Sequence, residues 1–531
     1  MNRHHLSRRT ILLAAGAAAC TPHALSGSNS VVETTEGRYQ GLQLDGVHVF
    51  KGMRYGASTA GRGRFMPPQS APRFAGVREA FEYGDQTPQA RGSLAADTAM
   101  SEDCLRINVW TPELRRGRRP VLLWFHGGGF EAGSGSSALY DGAHMALRGD
   151  VVVCTINHRL NVFGFCDLSE HLGEDFAQSG NVGYLDLVAS MRWVRENIAE
   201  FGGDPNNVMI YGQSGGGRKV SVCFAGKPSA GLFAKGVVQS GSHLRVQTPE
   251  QSHALTNSLL AELGIDPANA RALQDVPQET LSEVQRRVIG AAGYRFEPNL
   301  DGINFEAHPF IPNAPRQTAQ VPMMLGTTRT ELSNQLGHDP EIYTIDEAGL
   351  KERLARFFPP EEVDEAVDVF QQSNPNASPT EIFFLLTSWR SYILNATLMA
   401  ESRAELNGAN NPTWMYQVTW RSPAEGGRRY SQHTLDLPFM FDNVDRAERL
   451  TGPETDETRA MADAMANAWI SFARNGDPNH DGIPQWPTYD LASRSVMHFE
   501  VPATVVEDPF RSEREYMNRY DSVRATARRD G

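Results

Sequence analysis

The stretch IYGQSGGGRKV, Ile210 to Val220, decides how the whole chain is read. It is either a serine held on a sharp turn or a flexible glycine linker. With 48 glycines among 531 residues, a G-x-S-x-G match arises by chance about 0.3 times, so the motif alone carries little weight. Its surroundings carry more. NVMIYG, Asn207 to Gly212, reads as a short buried strand, and RKVSVCFA after the glycines reads as a helix. A linker needs neither. At a strand-to-helix elbow the nucleophile is held in a strained conformation. Gly212, Gly215 and Gly216 then let neighbouring backbones pass closely, and the helix amino terminus adds positive potential at the reacting oxygen. Ser214 is therefore read as a nucleophile.

Outward from the elbow the pattern repeats. PVLLWFH (Pro120 to His126) and VVVCTI (Val151 to Ile156) are continuous apolar runs, as central parallel strands need. In GYLDLVASMRWVRENIAEFGG, the residues Leu185, Val188, Met191, Trp193, Val194 and Ile198 recur at helical spacing before Gly202 and Gly203 stop the helix. GVVQS and VPMMLGT supply further strands, and the glycine-punctuated pieces from Val31 to Tyr55 suggest antiparallel hairpins. Strand–helix alternation implies an α/β fold, a large mixed but mostly parallel sheet with helices on both faces. The segments Leu244–Gln320 and Leu332–Pro412 interrupt it and read as mainly helical insertions above the sheet. Residues 28–531 are expected to form one domain.

Composition excludes some classes. A net charge of −13 argues against nucleic acid as a partner. The first 27 residues read as an address: Arg8–Arg9 precede an apolar run from Ile11 to Ala19, too short to span a bilayer. A twin-arginine export signal is expected, with lipid attachment at Cys20 or cleavage near Ala24–Gly27 as alternatives, and hence a periplasmic or secreted location. No later segment is apolar enough to cross a membrane. Cys154 and Cys223 fall on buried positions, and no C-x-x-C pair or His/Cys cluster suggests a metal. No structural disulfide, metal or cofactor is expected.

A serine hydroxyl needs a base to take its proton, a third group to orient the base, and N–H donors for the developing oxyanion. WFHGGGFEAGSG, directly after a strand, offers such donors at Gly127–Gly129. A phosphate loop would need a Gly-Lys-Ser/Thr ending that is not there.

Ten ordered pieces then stand out: FKGMRYG, SEDCLRINVW, HGGGF, NHRLNVFGF, GNVGYLDL, WVRENIAEFGGDPNNV, GQSGGG, VVQSGS, HTLDLPFMF and WISFARNGDPN. On these the chain resembles the type-B carboxylesterase family, the cholinesterase-like branch of the α/β-hydrolases, over nearly everything after residue 30. The resemblance implies the α/β-hydrolase fold, with helical insertions lining a gorge, and a Ser–Glu–His triad. Ser214 would be the nucleophile, Glu331 the acid closing GTTRTE, and His433 the base opening HTLDLP. It implies oxyanion donors at Gly128, Gly129 and Gly215, and makes Ser240 resemble a serine near the acid; a buried hydroxyl bonded to nearby backbone is the alternative. The residues agree. Glu331 follows an apolar strand, where functional side chains gather at carboxyl ends. The order Ser, Glu, His is that of this fold. Among 15 histidines, His243, His308 and His338 are rivals without the motif context of His433.

Departures from the family limit what is inherited. Gln213 stands where a Glu is usual, Gly215 where Ala is usual, and Thr328 where Asn is usual. Thr87 replaces the cysteine that would pair with Cys104. No tryptophan lies between those two positions to hold a choline by cation–π attraction, so choline esters are not expected substrates. DPNHDG from Asp477 imitates a calcium loop, but its twelfth position is Thr488, and a polar turn is expected. The expected activity is hydrolysis of small carboxylic esters through an acyl-enzyme. The alternatives are amide, carbamate or lactone hydrolysis on the same triad, or, more remotely, a non-catalytic adhesion module.

Overall fold

The computed structural model describes residues 30–90, 92 and 96–520; the expected export signal, with Cys20, lies outside them. Among the described residues there are β1 (Val31–Glu33), β2 (Arg38–Gln40), β3 (Leu42–Leu44), β4 (Val47–Arg54), β5 (Val77–Glu79), β6 (Arg106–Thr111) and β7 (Arg119–Phe125). The series continues with β8 (Val152–Ile156), β9 (Gly203–Gln213), β10 (Lys235–Gln239), β11 (Met323–Thr328), β12 (Thr413–Val418), β13 (Ser495–Phe499) and β14 (Thr504–Glu507). The large sheet has 11 strands in the order β14-β13-β12-β11-β10-β9-β7-β8-β6-β4-β3, and β1, β2 and β5 form a small one. From β8 to β13 every neighbouring pair is parallel, and both edges are antiparallel. This is the α/β-hydrolase architecture.

Strand alternation divides the core. Val121, Leu123 and Phe125 of β7 point to one face, where they join Leu187, Val188, Met191 and Val194 of the helix Val182–Asn197. Leu122 and Trp124 point to the other, among Met461, Met465, Trp469 and Phe472 of the helix Asp456–Asn475. Every side chain from Pro120 to Phe125 is buried, which is why this run lacks the alternation of a half-exposed strand. Trp124 is fully buried; truncating such a residue to Ala costs about 3–5 kcal/mol. The helix Val182–Asn197 runs into a 3-10 turn, Ile198–Phe201, and stops at Gly202, whose φ of 76° suits glycine.

The first insertion is only partly helical. The helix Pro249–Glu262 opens with a capping box between Thr248 and Gln251, and Gln278–Ala292 ends on left-handed Gly293. From Tyr294 to Pro315 the described chain forms no helix, contrary to the sequence expectation. Pro298, Pro309, Pro312 and Pro315 remove backbone donors there, and Asp301 Oδ1 instead accepts the N–H groups of Ile303, Asn304 and Phe305. The second insertion is helical as expected. Its helices Pro379–Ser388 and Leu394–Asn407 are joined by a π-helical turn, Trp389–Ile393. A third cluster of Phe370, Ile382, Phe384 and Trp389 packs it against Tyr516 and Met517 near the carboxyl terminus.

Asp477 caps a polar turn through the N–H of Asn479, as the sequence suggested. Cys104, Cys154, Cys166 and Cys223 are free and buried. Thr87 Oγ1 lies 3.2 Å from Cys104 Sγ and 2.5 Å from the His158 carbonyl, a hydroxyl contact in place of a covalent link. Among the described residues no helix is long and apolar enough to cross a membrane.

Candidate active site

Ser214 sits between the end of β9 and the helix Gly215–Ala225 with φ 58° and ψ −121°. A non-glycine residue rarely adopts this conformation, and here it is held from both sides. The Ser214 N–H donates to Gln239 O on the neighbouring β10 at 2.8 Å, and its carbonyl accepts the N–H of Arg218 at 3.0 Å. The flanking glycines leave no room for a side chain. A Cβ on Gly212 would lie 2.5 Å from the Gly216 carbonyl carbon, and one on Gly216 would lie 1.9 Å from Phe125 O.

The HGGG loop covers the elbow. Gly128 and Gly129 have φ of 92° and 65°. A Cβ on Gly127 would meet Ser214 Cβ at 3.6 Å, and one on Gly215 would strike Gly129 N at 2.1 Å. The N–H groups of Gly128, Gly129 and Gly215 find no protein acceptor among the described residues. Three donors without a protein acceptor therefore lie beside the serine elbow, the arrangement that an oxyanion requires.

The other two side chains come from loops at carboxyl ends of the sheet. Glu331 follows β11 and is fully buried; its Oε1 accepts the N–H of Thr328 at 2.8 Å, and its Oε2 lies 2.5 Å from Nδ1 of buried His433. The two loops are stitched together. Thr330 N donates to Ser431 O at 3.1 Å, Ser431 N donates to Thr330 Oγ1 at 2.9 Å, and Asn334 Nδ2 donates to His433 O at 3.3 Å. Because Nδ1–H faces the carboxylate, the His433 lone pair is on Nε2. The Gln213 side-chain amide lies 3.1 Å from that nitrogen, which brings the imidazole to the residue next to Ser214. Of the rivals, His243 packs edge-on to Phe130, while His308 and His338 form no ion pair with a carboxylate among the described residues. Ser240 has φ 47° and bonds through its N–H to Gly326 O of β11 at 2.7 Å. Its buried hydroxyl has no hydrogen-bond partner among the described residues, neither backbone nor the Glu331 carboxylate.

Two neighbours escaped the sequence reading. Tyr392, in the π-helical turn, places its ring 4.8 Å from the His433 ring at 41°. Its signal is a backbone irregularity, frequent at functional sites but invisible in the apolar run FFLLTSWRSYILN. Asp436, inside HTLDLP itself, is buried and accepts from Gln239 Nε2 at 2.7 Å and the Tyr416 hydroxyl at 3.1 Å. Burial pushes its carboxyl up to about 6, against the Gln239 hydrogen bond and with help from the Glu331 charge.

An α/β-hydrolase fold with a serine elbow, backbone N–H donors beside it and a buried His–Glu pair defines a class of hydrolase. The comparisons narrow it. The sequence profile described as "Carboxylesterase family" matches residues 28–517. The para-nitrobenzyl esterase of Bacillus subtilis (strain 168) is 32% identical over 496 residues, covering 91% of this chain and 97% of that one. The phenmedipham hydrolase of Pseudarthrobacter oxydans is 30% identical over 485 residues, covering 88% and 94%. A crystal structure of a Geobacillus stearothermophilus carboxylesterase superimposes with a TM-score of 0.79 at 35% identity, over 92% of this chain and 99% of that one. The chain belongs to the carboxylesterase family, and it is a carboxylic-ester hydrolase.

Proposed function

We propose that Ser214, His433 and Glu331 are the catalytic triad of an esterase acting on small-molecule carboxylic esters through an acyl-enzyme. Ser214 Oγ attacks the ester carbonyl carbon while His433 Nε2 takes its proton. Glu331 holds the resulting imidazolium through Nδ1–H, and the N–H groups of Gly128, Gly129 and Gly215 receive the oxyanion. The carbon–oxygen bond to the alcohol then breaks, and the alcohol leaves with the proton from Nε2. Water repeats the sequence on the acyl-enzyme, with His433 again as base, and frees the acid. As Ser214 engages Nε2, the Gln213 amide must give up that contact.

The observation that carries this reading is the 2.5 Å bond from His433 Nδ1 to buried Glu331, with Nε2 turned to the residue beside Ser214. Ser214→Ala is expected to abolish turnover of 4-nitrophenyl esters and labelling by an organophosphonate while thermal unfolding stays unchanged. Turnover by the folded Ala variant would refute the assignment. The likeness to a phenmedipham hydrolase makes phenmedipham a substrate worth adding to an ester panel. We further propose that the chain is exported, on the strength of Arg8–Arg9 and the apolar run behind them; the mass of the mature amino-terminal peptide tests this.

A further inference from the structure

Lys219 is fully buried, although lysine is among the residues least often placed there. It lies in the helix Gly215–Ala225, one turn beyond Gly215, and its side chain reaches back toward the helix start. Nζ donates to the carbonyl of His126 at 2.8 Å and stands 6.0 Å from the ring centre of Phe130. No carboxylate pairs with it among the described residues; the titratable groups around it are Arg218, His126 and His158, and burial holds both imidazoles well below their ordinary range. A buried ammonium without a counter-ion is costly, so its place calls for an explanation.

The explanation lies in the peptide planes of the HGGG loop. In a trans peptide the C=O of one residue and the N–H of the next point in opposite directions, so anchoring the carbonyl aims the N–H. Three consecutive carbonyls are anchored. Lys219 Nζ holds the carbonyl of His126. His126 Nδ1–H holds that of Gly127 at 2.8 Å. The N–H groups of Glu131 and Ala132 hold that of Gly128 at 3.2 and 3.0 Å. The second and third anchors aim the N–H groups of Gly128 and Gly129. The first fixes the peptide that enters the loop, and with it the residue whose ring forms the second anchor. Behind that ring, His158 stacks on His126 at 5.1 Å, leaving little space for it to swing.

We propose that Lys219 is a positioning residue for the oxyanion donors, acting through the His126 carbonyl. The role does not depend on charge. Burial, and then the charge of Arg218, hold the amine well below the ordinary lysine range, but a neutral amine still carries N–H groups and still donates. The proposal rests on the esterase reading above and is tested so that the two fail separately.

The experiment compares wild type with Lys219→Met, which keeps length and removes the donor, and Lys219→Ser, which is small, polar and too short to reach His126. Each is assayed for kcat and KM on 4-nitrophenyl butyrate and for affinity toward a trifluoromethyl ketone of the same acyl length, whose hemiketal oxyanion fills the donor ring. Thermal unfolding identifies the variants that fold. In any folded variant kcat is expected to fall by about 10–100-fold with KM within about twofold, and ketone affinity to fall by the same factor as kcat/KM. Unchanged kcat, or a loss confined to KM, in a folded variant overturns the role of Lys219. A wild type that neither turns over the ester nor binds the ketone overturns the esterase reading instead.

Discussion

Glu513 and Arg329 form a buried pair that ties the carboxyl-terminal helix Arg511–Met517 to the loop carrying Glu331. Arg329 Nη2 donates to Glu513 Oε1 at 2.7 Å and Nη1 donates to Oε2 at 2.8 Å. The same carboxylate accepts from Trp389 Nε1 at 2.5 Å and Asn374 Nδ2 at 2.8 Å, and the Arg329 guanidinium covers the Phe510 ring at 3.5 Å. Arg329 is two residues from Glu331, and Trp389 opens the π-helical turn that presents Tyr392 to His433. One carboxylate thus anchors both the acid loop and the aromatic wall beside the base.

Removing its charge leaves a guanidinium buried without compensation. Glu513→Gln is expected to destabilise the fold by about 3–5 kcal/mol, and to lower kcat in the fraction that remains folded because the Glu331 loop loses an anchor. Urea unfolding, with activity measured well below the midpoint, separates the two effects. Unaltered stability would mean that Arg329 finds another partner.

Gly215 and Gly129 are in closer contact than any side chain permits. A Cβ at Gly215 would fall 2.1 Å from Gly129 N and 2.5 Å from its Cα, both backbone atoms with no rotamer to escape into. Gly215→Ala must push the loop Gly127–Gly129 outward. Overpacking of this kind costs about 1–3 kcal/mol, and the displaced donors should lower kcat at least about tenfold. A fully active Ala variant would show that the loop has slack and that the glycine is not needed for this approach.

Gln213 offers a test through pH. Its amide lies against His433, with Nε2 3.1 Å from the imidazole Nε2 and 3.5 Å from Nδ1. A carboxylate there would stabilise the imidazolium over the neutral ring. The sign follows: Gln213→Glu moves the acid limb of the kcat/KM profile to higher pH, so the variant loses activity first as pH falls. A shift of about one unit is expected for a partly screened charge at this distance. Superimposable profiles would show that the side chain at position 213 does not reach the base electrostatically.

Local chemistry made much of this legible and long-range contact hid the rest. A strand, a serine among glycines and a helix within Asn207–Ala225 announce the elbow, because each feature depends on neighbouring residues. Glu331 and His433 were picked out by position and motif, and the structure bonds them although 102 residues separate them. Lys219 was hidden. On the helix after Ser214 nothing in its neighbours says that the HGGG loop, 93 residues upstream, closes over it. Tyr392 was hidden by a π-helical turn that apolar periodicity does not encode, and within the insertion Leu244–Gln320, read as mainly helical, the stretch Tyr294–Pro315 forms no helix because four prolines and the Asp301 turn intervene. The strands β12 and β13 escaped notice because TWMYQV and SVMHF are short, and only their place in the sheet makes them buried.

Asp436 links the site to stability. Its carboxyl is fully buried and titrates at about 6, against 3.8 for a free aspartate. A folded-state pKa above the unfolded one means that the protonated form is the better fit. Its contribution to stability is present below the unfolded value and lost as pH rises through the folded one. Above about pH 6 the native state carries the whole cost of a buried charge, about 3 kcal/mol for a shift of this size. Asp436→Asn cannot ionise, and its amide oxygen can still accept from Gln239 or Tyr416. Urea midpoints taken from about pH 4 to about pH 7 should therefore show the Asn variant gaining on wild type through the interval and holding a constant difference beyond it. Parallel curves would mean that the charged carboxylate is as comfortable beside Glu331 as the neutral acid. In that case hydrogen bonds from Gln239 and Tyr416 would outweigh desolvation at this position.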